Sequence, residues 1–485
     1  MSPQPAGITL QPWEFRKVAT HGFGDGLNSF AHTMAWFQDY LYVGTTRANL
    51  CLLKGRLAMG AEVWPVQCPD DVYDLDLRAQ IWRFNPRTGE WRMVLRSPMV
   101  TGRNGKQVPR EIGYRAMAVC QAPGDRVPAL YVITWAPSRA PGTLVLKCTD
   151  GENFVPVSNY GFGPPAAASY RTLIPFRDKV FTSPIGRSGG KPNTPDQPIV
   201  LEAANPAAEW QPASTPGFGD PTNLTVFEMA VFNSHLYAGT LNASQGFQIW
   251  KTRAEGRPPY HWQQVIAHGA GRGPLNEGVL SMCVFRGELY VGSCIQNGGH
   301  DLTHKIGPAA PELIRIRPDD SWDLVVGEPR ETRTGPHFPL SGMGPGFDSV
   351  FNGYFWRIAE HEGALYVGTL DWSVMLPYLK VDAAPPLAAR RVTRLGIDNL
   401  VNFNAGFDLF SSTDGVRWQP ITTNGFGNRY NFGARTMVST PYGLFLGTAN
   451  PFGSNVAVRT ETGWSYAPNH NGGAEIWCGS HRSAQ

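Results

Sequence analysis

Three arginines and one histidine occupy the same position of a repeated pattern in this chain. Apolar phrases of the type LYVGT begin at residues 41, 130, 180, 236, 289, 365 and 444. The planar guanidinium group of arginine binds carboxylate, sulfate or phosphate through two parallel hydrogen bonds. If the fold gathers these positions, the arginines form an anion site and the apolar residues form a wall opposite them. Nine residues before each phrase, or at the matching place in YRAMAV for the second, stand His32, Arg115, Arg171, Phe227, Leu280, Trp356 and Arg435.

The same region of the pattern supplies groups that can transfer protons. Positive neighbours lower the pKa of a histidine, so we expect His32 to be neutral and able to act as a general base. Tyr114 and Tyr170 directly precede two of the arginines and are candidate proton donors. Each group has a structural alternative. His32 is then a satisfied core residue, the tyrosines pack between repeats, and the arginines bond to backbone carbonyls or to acids such as Glu228.

Four polar residues stand at equivalent places just after the phrases. Arg47, Asn242 and Asn450 are predicted to bind substrate, and Asp371 is a further candidate proton donor. Asp371 precedes Trp372, a pairing suited to binding or protonating a sugar. The alternative role for Asp371 is to cap a turn.

One pair of histidines has the spacing of metal ligands. His300 and His304 in the sequence HDLTH would share one face if that loop were helical. No third ligand is close in sequence, and no HExxH motif accompanies them. No cofactor is therefore predicted, and a divalent metal at these histidines is kept as an alternative.

The elements that must position these residues are short strands. Four strand-like phrases recur in a fixed order seven times, which predicts an all-β, seven-bladed β-propeller of four-stranded blades. The last blade lacks a fourth phrase near the C-terminus, and the matching phrase stands at residues 15–18. We therefore expect an N-terminal strand to complete the last blade and close the ring. The alternative is two or three separate β domains. The single predicted domain covers residues 1–485, with blades at about 25–97, 110–161, 165–217, 221–269, 274–328, 348–425, and 429–480 plus 12–22.

Four long insertions fall on one face of the predicted propeller. They cover residues 46–80, 294–311, 371–406 and 449–475. Long loops without secondary structure of their own are usually functional. The insertions therefore predict a cap that narrows the channel mouth into a pocket. Insertions without a function are the alternative.

Two turns resemble a known repeat. The sequences SSTDGVRW at 411–418 and KCTDGENF at 147–154 resemble the Asp-box of sialidase-type repeats, without the residue that usually separates Asp from Gly. The resemblance implies propeller blades, and such boxes usually lie far from an active site. A propeller with an arginine cluster is also similar to the sialidases, whose arginines bind a carboxylate. It is similar as well to the propeller polysaccharide lyases, which neutralise a uronate carboxylate.

The overall charge excludes some partners. The chain has 42 Lys and Arg against 39 Asp and Glu, a net charge of +3, so neither nucleic acid nor an anionic membrane is an expected partner.

The first residues lack the basic and apolar regions of a signal peptide. The seven cysteines are an odd number without a CxxC motif. Both observations favour a cytoplasmic protein with free thiols, and a Cys51–Cys68 bridge in an exported protein is the alternative.

Two classes of function follow from these observations. The first is an enzyme of lyase or hydrolase type that acts on a small anionic, carboxylate-bearing or sugar-like substrate in a capped pocket. The second is a non-catalytic propeller that binds a peptide or glycan. A pocket closed by the insertions favours the enzyme, and an open, flat face favours the binding protein.

Overall fold

Antiparallel strands make up most of the regular secondary structure of this protein. The computed structural model describes residues 7–57, 60–164, 166–380 and 392–481. The prediction of a mostly β protein is confirmed, and one large antiparallel sheet contains 24 of the described strands. Residues 381–391 of the predicted insertion at 371–406 lie outside the described residues, as do residue 165 and both ends of the predicted 1–485 domain.

The strands pair in sets of four, which we call units and number along the chain. The fourth strand of unit 7 comes from the start of the chain, where Phe15 pairs with Gly479 and Lys17 with Trp477. The units are unit 1 (Asn28–Phe37, Tyr40–Arg47, Gln80–Asn85, Glu90–Arg96), unit 2 (Gly113–Cys120, Ala129–Trp135, Val145–Cys148, Val155–Pro156), unit 3 (Ile174–Phe176, Lys179–Thr182, Leu201–Ala203, Gln211–Pro212), unit 4 (Thr225–Phe232, His235–Leu241, Ile249–Thr252, Gln263–Ile266), unit 5 (Gly278–Phe285, Glu288–Cys294, Leu313–Ile316, Trp322–Val326), unit 6 (Asn352–His361, Ala364–Asp371, Leu409–Ser412, Gln419–Thr422) and unit 7 (Gly433–Thr440, Gly443–Ala449, Ile476–Gly479, Phe15–Ala19).

The remaining elements are short. The longer helices are Asn49–Leu57 and Ile397–Asn404. Helical turns span Pro12–Glu14, His21–Gly24, Val72–Asp74, Gly217–Gly219, His268–Gly271, Gly273–Asn276, Gln296–Gly299, Ser373–Tyr378 and Gly425–Gly427. Two-stranded pairs outside the units are Met99–Thr101 with Gln107–Pro109, Ala167–Tyr170 with Pro184–Arg187, Arg330–Thr332 with Gly335–His337, and Asn455–Thr460 with Gly463–Pro468. In the described part of the chain, no helix has the length and apolar character needed to cross a membrane.

A buried asparagine fixes the turn that leads into five of the units. Its side-chain nitrogen donates to the carbonyl oxygen of a glycine in the preceding turn and to a side-chain oxygen of the residue just before, or at the start of, the third strand, at 2.7 to 3.1 Å. We call this arrangement the asparagine clasp. It explains why phrases such as GFG recur, because the turn has positive φ at Gly425 and Phe426, a conformation that favours glycine. The five clasps are Asn28 with Gly22 and Gln80, Asn223 with Gly217 and Gln248, Asn276 with Gly269 and Glu312, Asn352 with Gly346 and Asp408, and Asn431 with Gly425 and Glu475.

The glycine of the LYVGT phrase allows neighbouring units to pack closely. A Cβ atom on Gly368 would lie 2.4 Å from the Cβ of Ala434 in the next unit. The same contact relates unit 7 to unit 1, since a Cβ on Gly447 would lie 2.6 Å from the Cβ of Ala31. Phe30 also pairs with Ala449 across this junction. The last unit therefore packs directly on the first.

Three of the four predicted insertions, at 46–80, 371–406 and 449–475, pack together. Backbone bonds join them, as Glu62 N–H donates to the Tyr378 carbonyl and Ala457 N–H to that of Pro65, each at 2.8 Å. The insertion at 294–311 is not part of this group, and its Gly298 N–H donates to the Tyr354 hydroxyl at 2.7 Å. The apolar residues shared by the three insertions, which we call the insertion cluster, include Leu50, Trp64, Val66, Val374, Leu376, Tyr378, Val401, Phe452 and Val456.

One pair of cysteines is oxidised. Cys51 and Cys68 form a disulfide inside the first insertion, with their Cα atoms 5.5 Å apart. The expectation of seven free thiols is therefore wrong for this pair, because the loop folds back and brings the two side chains together. The free cysteines are Cys120, Cys148, Cys283, Cys294 and Cys478.

Candidate functional site

A β-bulge occurs at one position in the first strand of six units. At each bulge one residue has no partner on the second strand. Arg171 of unit 3 lies at the matching place, in the break between Ala167–Tyr170 and Ile174–Phe176. Bulges re-aim side chains and are common beside active sites. The six unpaired residues are His32, Arg115, Phe227, Leu280, Trp356 and Arg435, all of them positions that the spacing of the phrases singled out.

Four arginines from four units lie within electrostatic range of one another. Arg435 repels Arg357, Arg171 and Arg115, and we call these four residues the arginine cluster. Arg435 is only 4% exposed, and the other three are partly buried. Burial, followed by repulsion from Arg171, lowers the pKa of Arg115 to about 9. The cluster thus holds positive charge where solvation is poor.

Aromatic rings support three of these guanidinium groups. The Arg171 guanidinium carbon lies 4.1 Å from the Phe227 ring centroid. Arg115 lies 4.8 Å from the Trp135 ring, and Arg435 lies 5.4 Å from the Trp356 ring. A ring face attracts a cation but does not neutralise it. The guanidinium N–H groups are thus able to bind a further partner, and Arg115 Nε and Arg171 Nε are buried without one among the described residues.

Among the described residues, one carboxylate balances the cluster. Glu228, 8% exposed, accepts from Arg357 Nη1 at 3.3 Å, and it attracts Arg171 and Arg435. Arg115, Arg171 and Arg435 form no side-chain hydrogen bond or salt bridge with any residue of the described ranges. The alternative that each arginine is consumed by a carbonyl or a carboxylate is therefore wrong for these three.

His32 lies beside the arginines with one ring nitrogen unbonded. Its Nδ1 contacts the Thr46 hydroxyl, and its Nε2 has no partner among the described residues. Burial, then Arg435, Arg115, Arg171 and Arg357, lower the pKa of His32 well below its usual value. The ring is therefore neutral near pH 7, and the prediction of a neutral imidazole agrees with this environment.

Sequence reasoning missed Arg357, which lies on the side predicted to be apolar. The bulge unpairs Trp356 and breaks the two-residue alternation of the strand, so Arg357 also joins the cluster. The predicted apolar residues do pack together, as Phe227, Leu280 and Trp356 share one cluster with Phe30 and Leu370. The polar and apolar sides thus interleave. The available signal was that Arg357 directly follows an aligned position.

Two predicted proton donors lie away from the cluster. Tyr114 is fully buried in the apolar core that includes Tyr42, Leu130 and Val132. Tyr170 stacks on Phe162 with ring centroids 4.2 Å apart. Both pack between units, because residues adjacent to the arginines along a strand point to the other face.

The residues after the LYVGT phrases are held in turns. Arg47 donates to the Asp76 carbonyl, to Asp25 at 2.7 Å and to Asn28 at 3.0 Å. Asn242 accepts the Ser244 and Gln245 N–H groups, and Asn450 Nδ2 donates to the Asn471 carbonyl at 2.7 Å. Asp371 accepts the Ser373 N–H at 2.8 Å. The structure does not bring these four into the arginine cluster.

Asp408 makes stability depend on pH. Burial raises its pKa from 3.8 to about 7, so the folded state holds a proton that the unfolded chain releases, and stability falls as pH rises through this window. The Asp408→Asn side chain keeps an oxygen that accepts from Asn352, as the Gln80 and Gln248 side chains do in the clasps of units 1 and 4. We expect Asp408→Asn to raise the melting temperature relative to wild type increasingly from pH 4 to 8. The exposed Asp398→Asn is the control, and a gain independent of pH would contradict the assignment.

The predicted metal-binding histidines are separated. Residues 301–306 form a turn closed by two backbone bonds between Asp301 and Ile306 rather than a helix. His304 instead meets Asp301 and Glu277, with ligand atoms within 4.8 Å of one another. His300 is exposed and does not join this group.

Comparisons with known proteins leave the function to be argued from this geometry. No protein-family model matches the chain, and no curated protein matches it. It is similar to Trypanosoma rangeli sialidase in complex with sialic acid, at 9% identity and a TM-score of 0.36, over 71% of this chain and 52% of that one. The RS223 β-xylosidase is similar at 13% identity and a TM-score of 0.32, over 67% of this chain and 98% of that one. The nidogen/laminin complex is similar at 10% identity and a TM-score of 0.34, over 61% of this chain and 83% of that one. Scores this low carry no argument about function.

Proposed function

We propose that the protein is a closed, seven-bladed β-propeller whose arginine cluster binds a small anionic substrate at the centre of the ring. The seven units are the blades, and residues 15–19 supply the outer strand of the last one. The contact of Gly447 with Ala31 and the pairing of Phe30 with Ala449 support closure. One innermost strand from each blade then reaches the axis, where the bulged residues meet.

The observation that carries this proposal is the charge imbalance. Arg115, Arg171 and Arg435 are without a salt bridge in the described residues, and Glu228 alone faces the cluster. A buried charge without a counter-charge is strongly unfavourable. Such an arrangement is stable when an anion completes it, and convergent arginines select carboxylate, sulfate or phosphate.

The chemistry we propose is a lyase- or hydrolase-type reaction on a carboxylate-bearing or sugar-like substrate. Arginines that neutralise a carboxylate make the neighbouring C–H group more acidic, and His32 Nε2 is placed beside them to accept a proton. The insertion cluster caps this site, since Trp372 and Phe432 pack against both that cluster and the apolar wall. A non-catalytic propeller would bind the same anion without turnover.

Thermal-shift measurements test the anion site. A ligand at a hundredfold excess over its Kd stabilises the fold by roughly 2.7 kcal/mol, so screening carboxylates, sulfates, phosphates and uronic acids should raise the melting temperature. Arg171→Lys should weaken this shift while barely changing the unliganded protein, because the charge remains and the planar fork is lost. Arg417→Lys is the matched control, since its side chain is 89% exposed.

Two results would contradict the proposal. One is that no anion stabilises the native protein. The other is that Arg171→Lys collapses the unliganded fold, which would make the arginines structural. If an anion binds, uronate-containing oligosaccharides should yield a new double bond or new reducing ends, and His32→Gln should abolish that turnover while retaining binding.

A further inference from the structure

The charge of the arginine cluster sets a requirement on its ligand, and this inference rests on the proposed anion site. Four guanidinium groups face one carboxylate, that of Glu228, and His32 is neutral. Burial and mutual repulsion lower the pKa of Arg435 and Arg115, and when all four arginines are protonated three positive charges are unbalanced within the described residues. The other titratable groups that face Arg171 are Cys294 and Tyr354, and burial raises the pKa of both, which keeps them uncharged.

A ligand with a single charge cannot balance this cluster. One carboxylate would leave two guanidinium groups without a counter-charge in a poorly solvated region, and uncompensated buried charge is destabilising. A ligand with two or three charges removes most of the imbalance.

The positions of the arginines favour the same conclusion. Arg115, Arg171 and Arg435 come from units 2, 3 and 7, and each stacks on a different aromatic ring. A carboxylate has two oxygens and pairs with one fork in bidentate fashion, so a single small carboxylate cannot pair in this way with all three arginines. A group with several oxygens, or two acidic groups close together, satisfies all three.

We propose that the arginine cluster selects small molecules with two or more closely spaced negative charges, such as phosphate esters, sulfate esters or dicarboxylates, over monocarboxylates. Glu228 limits this selectivity, because it repels the ligand and occupies Arg357. Removing its charge should therefore tighten the binding of polyanions.

Isothermal titration at pH 8 and constant ionic strength tests this requirement on the full chain. Malonate, phosphate and sulfate are the multiply charged probes, and acetate is the singly charged one. We expect malonate or phosphate to bind at least about tenfold more tightly than acetate, a difference of about 1.4 kcal/mol. Glu228→Gln should tighten malonate binding severalfold, and Arg435→Gln should weaken it. The exposed Arg417→Gln should have no effect.

The outcomes separate this inference from the proposed function. If acetate binds as tightly as malonate, phosphate and sulfate, the anion site stands and the charge requirement is overturned. If none of these anions binds, both are wrong. Should Arg435→Gln fail to fold, Glu228→Gln decides the matter, since unchanged or weaker malonate binding in that variant overturns the inference.

Discussion

Removing residues 1–20 is expected to lower the melting temperature of this protein sharply. The deletion takes away the outer strand of unit 7, with its pairing to Ile476–Gly479. It also removes Leu10 and Phe15, which are 1% and 7% exposed, and each such side chain contributes about 1.5–3 kcal/mol when buried. The salt bridge from Lys17 to Glu475, at 2.7 Å, is lost as well. Differential scanning calorimetry measures the effect.

Point substitutions in the same segment test whether the buried side chains of the first strand account for the loss of stability. Phe15→Ala should reproduce much of the loss, because truncating a buried phenylalanine costs about 3–5 kcal/mol. Trp13→Ala is the control, since Trp13 is 79% exposed. A truncated protein that melts like the intact one would show that the first strand does not hold the ring closed.

Glu312→Ala is expected to have the second large effect on stability. Glu312 is 1% exposed and accepts from Asn276 Nδ2 at 2.7 Å and from Arg330 Nη1 at 2.9 Å. Its removal leaves the Arg330 charge and a clasp asparagine without their partner. Breaking a buried ion pair in this way costs about 3–5 kcal/mol, which a lower melting temperature would report.

The matched controls for this prediction vary charge and burial separately. Glu312→Gln keeps an acceptor for Asn276, as in the clasps built with Gln80 and Gln248, and should lose less stability than Glu312→Ala. Glu461→Ala changes an exposed glutamate and should have little effect. Equal melting of Glu312→Ala and wild type would mean that the clasp is not a stabilising contact.

The sequence predicts the positions of the site better than their roles. The repeated phrase is a local signal with a fixed offset, and the residues at that offset, Arg435 among them, coincide with the bulges, while their role in binding stays a prediction. It did not locate Arg357, because a bulge changes which side a residue faces and leaves no mark in the composition of the strand. Tyr114 was assigned to the site because it directly precedes Arg115, but adjacency in sequence does not show which face a side chain takes, and Tyr114 lies in the apolar core.

Contacts between distant segments account for the other differences. From the sequence, the Cys51–Cys68 bridge is only an alternative to free thiols, because the disulfide depends on how a long insertion folds back. Likewise His304 meets Glu277, which lies just before the first strand of unit 5, rather than His300. Such pairings arise from tertiary packing, which residue spacing alone does not encode.

The bulged residues lie outside the strand pairing, so the side chains proposed to bind a ligand can be substituted while the pairing is kept. The residue at each bulge contributes no rung to the ladder of its sheet, and so its side chain can be exchanged without breaking strand pairing. Six units have such a position, and in the proposed ring their side chains would face a common centre. A library that varies Arg115, Phe227, Leu280 and Arg435 in combination would sample new ligand preferences while keeping the strand pairing, and it must replace Phe227 and Leu280 by other apolar residues because both are buried.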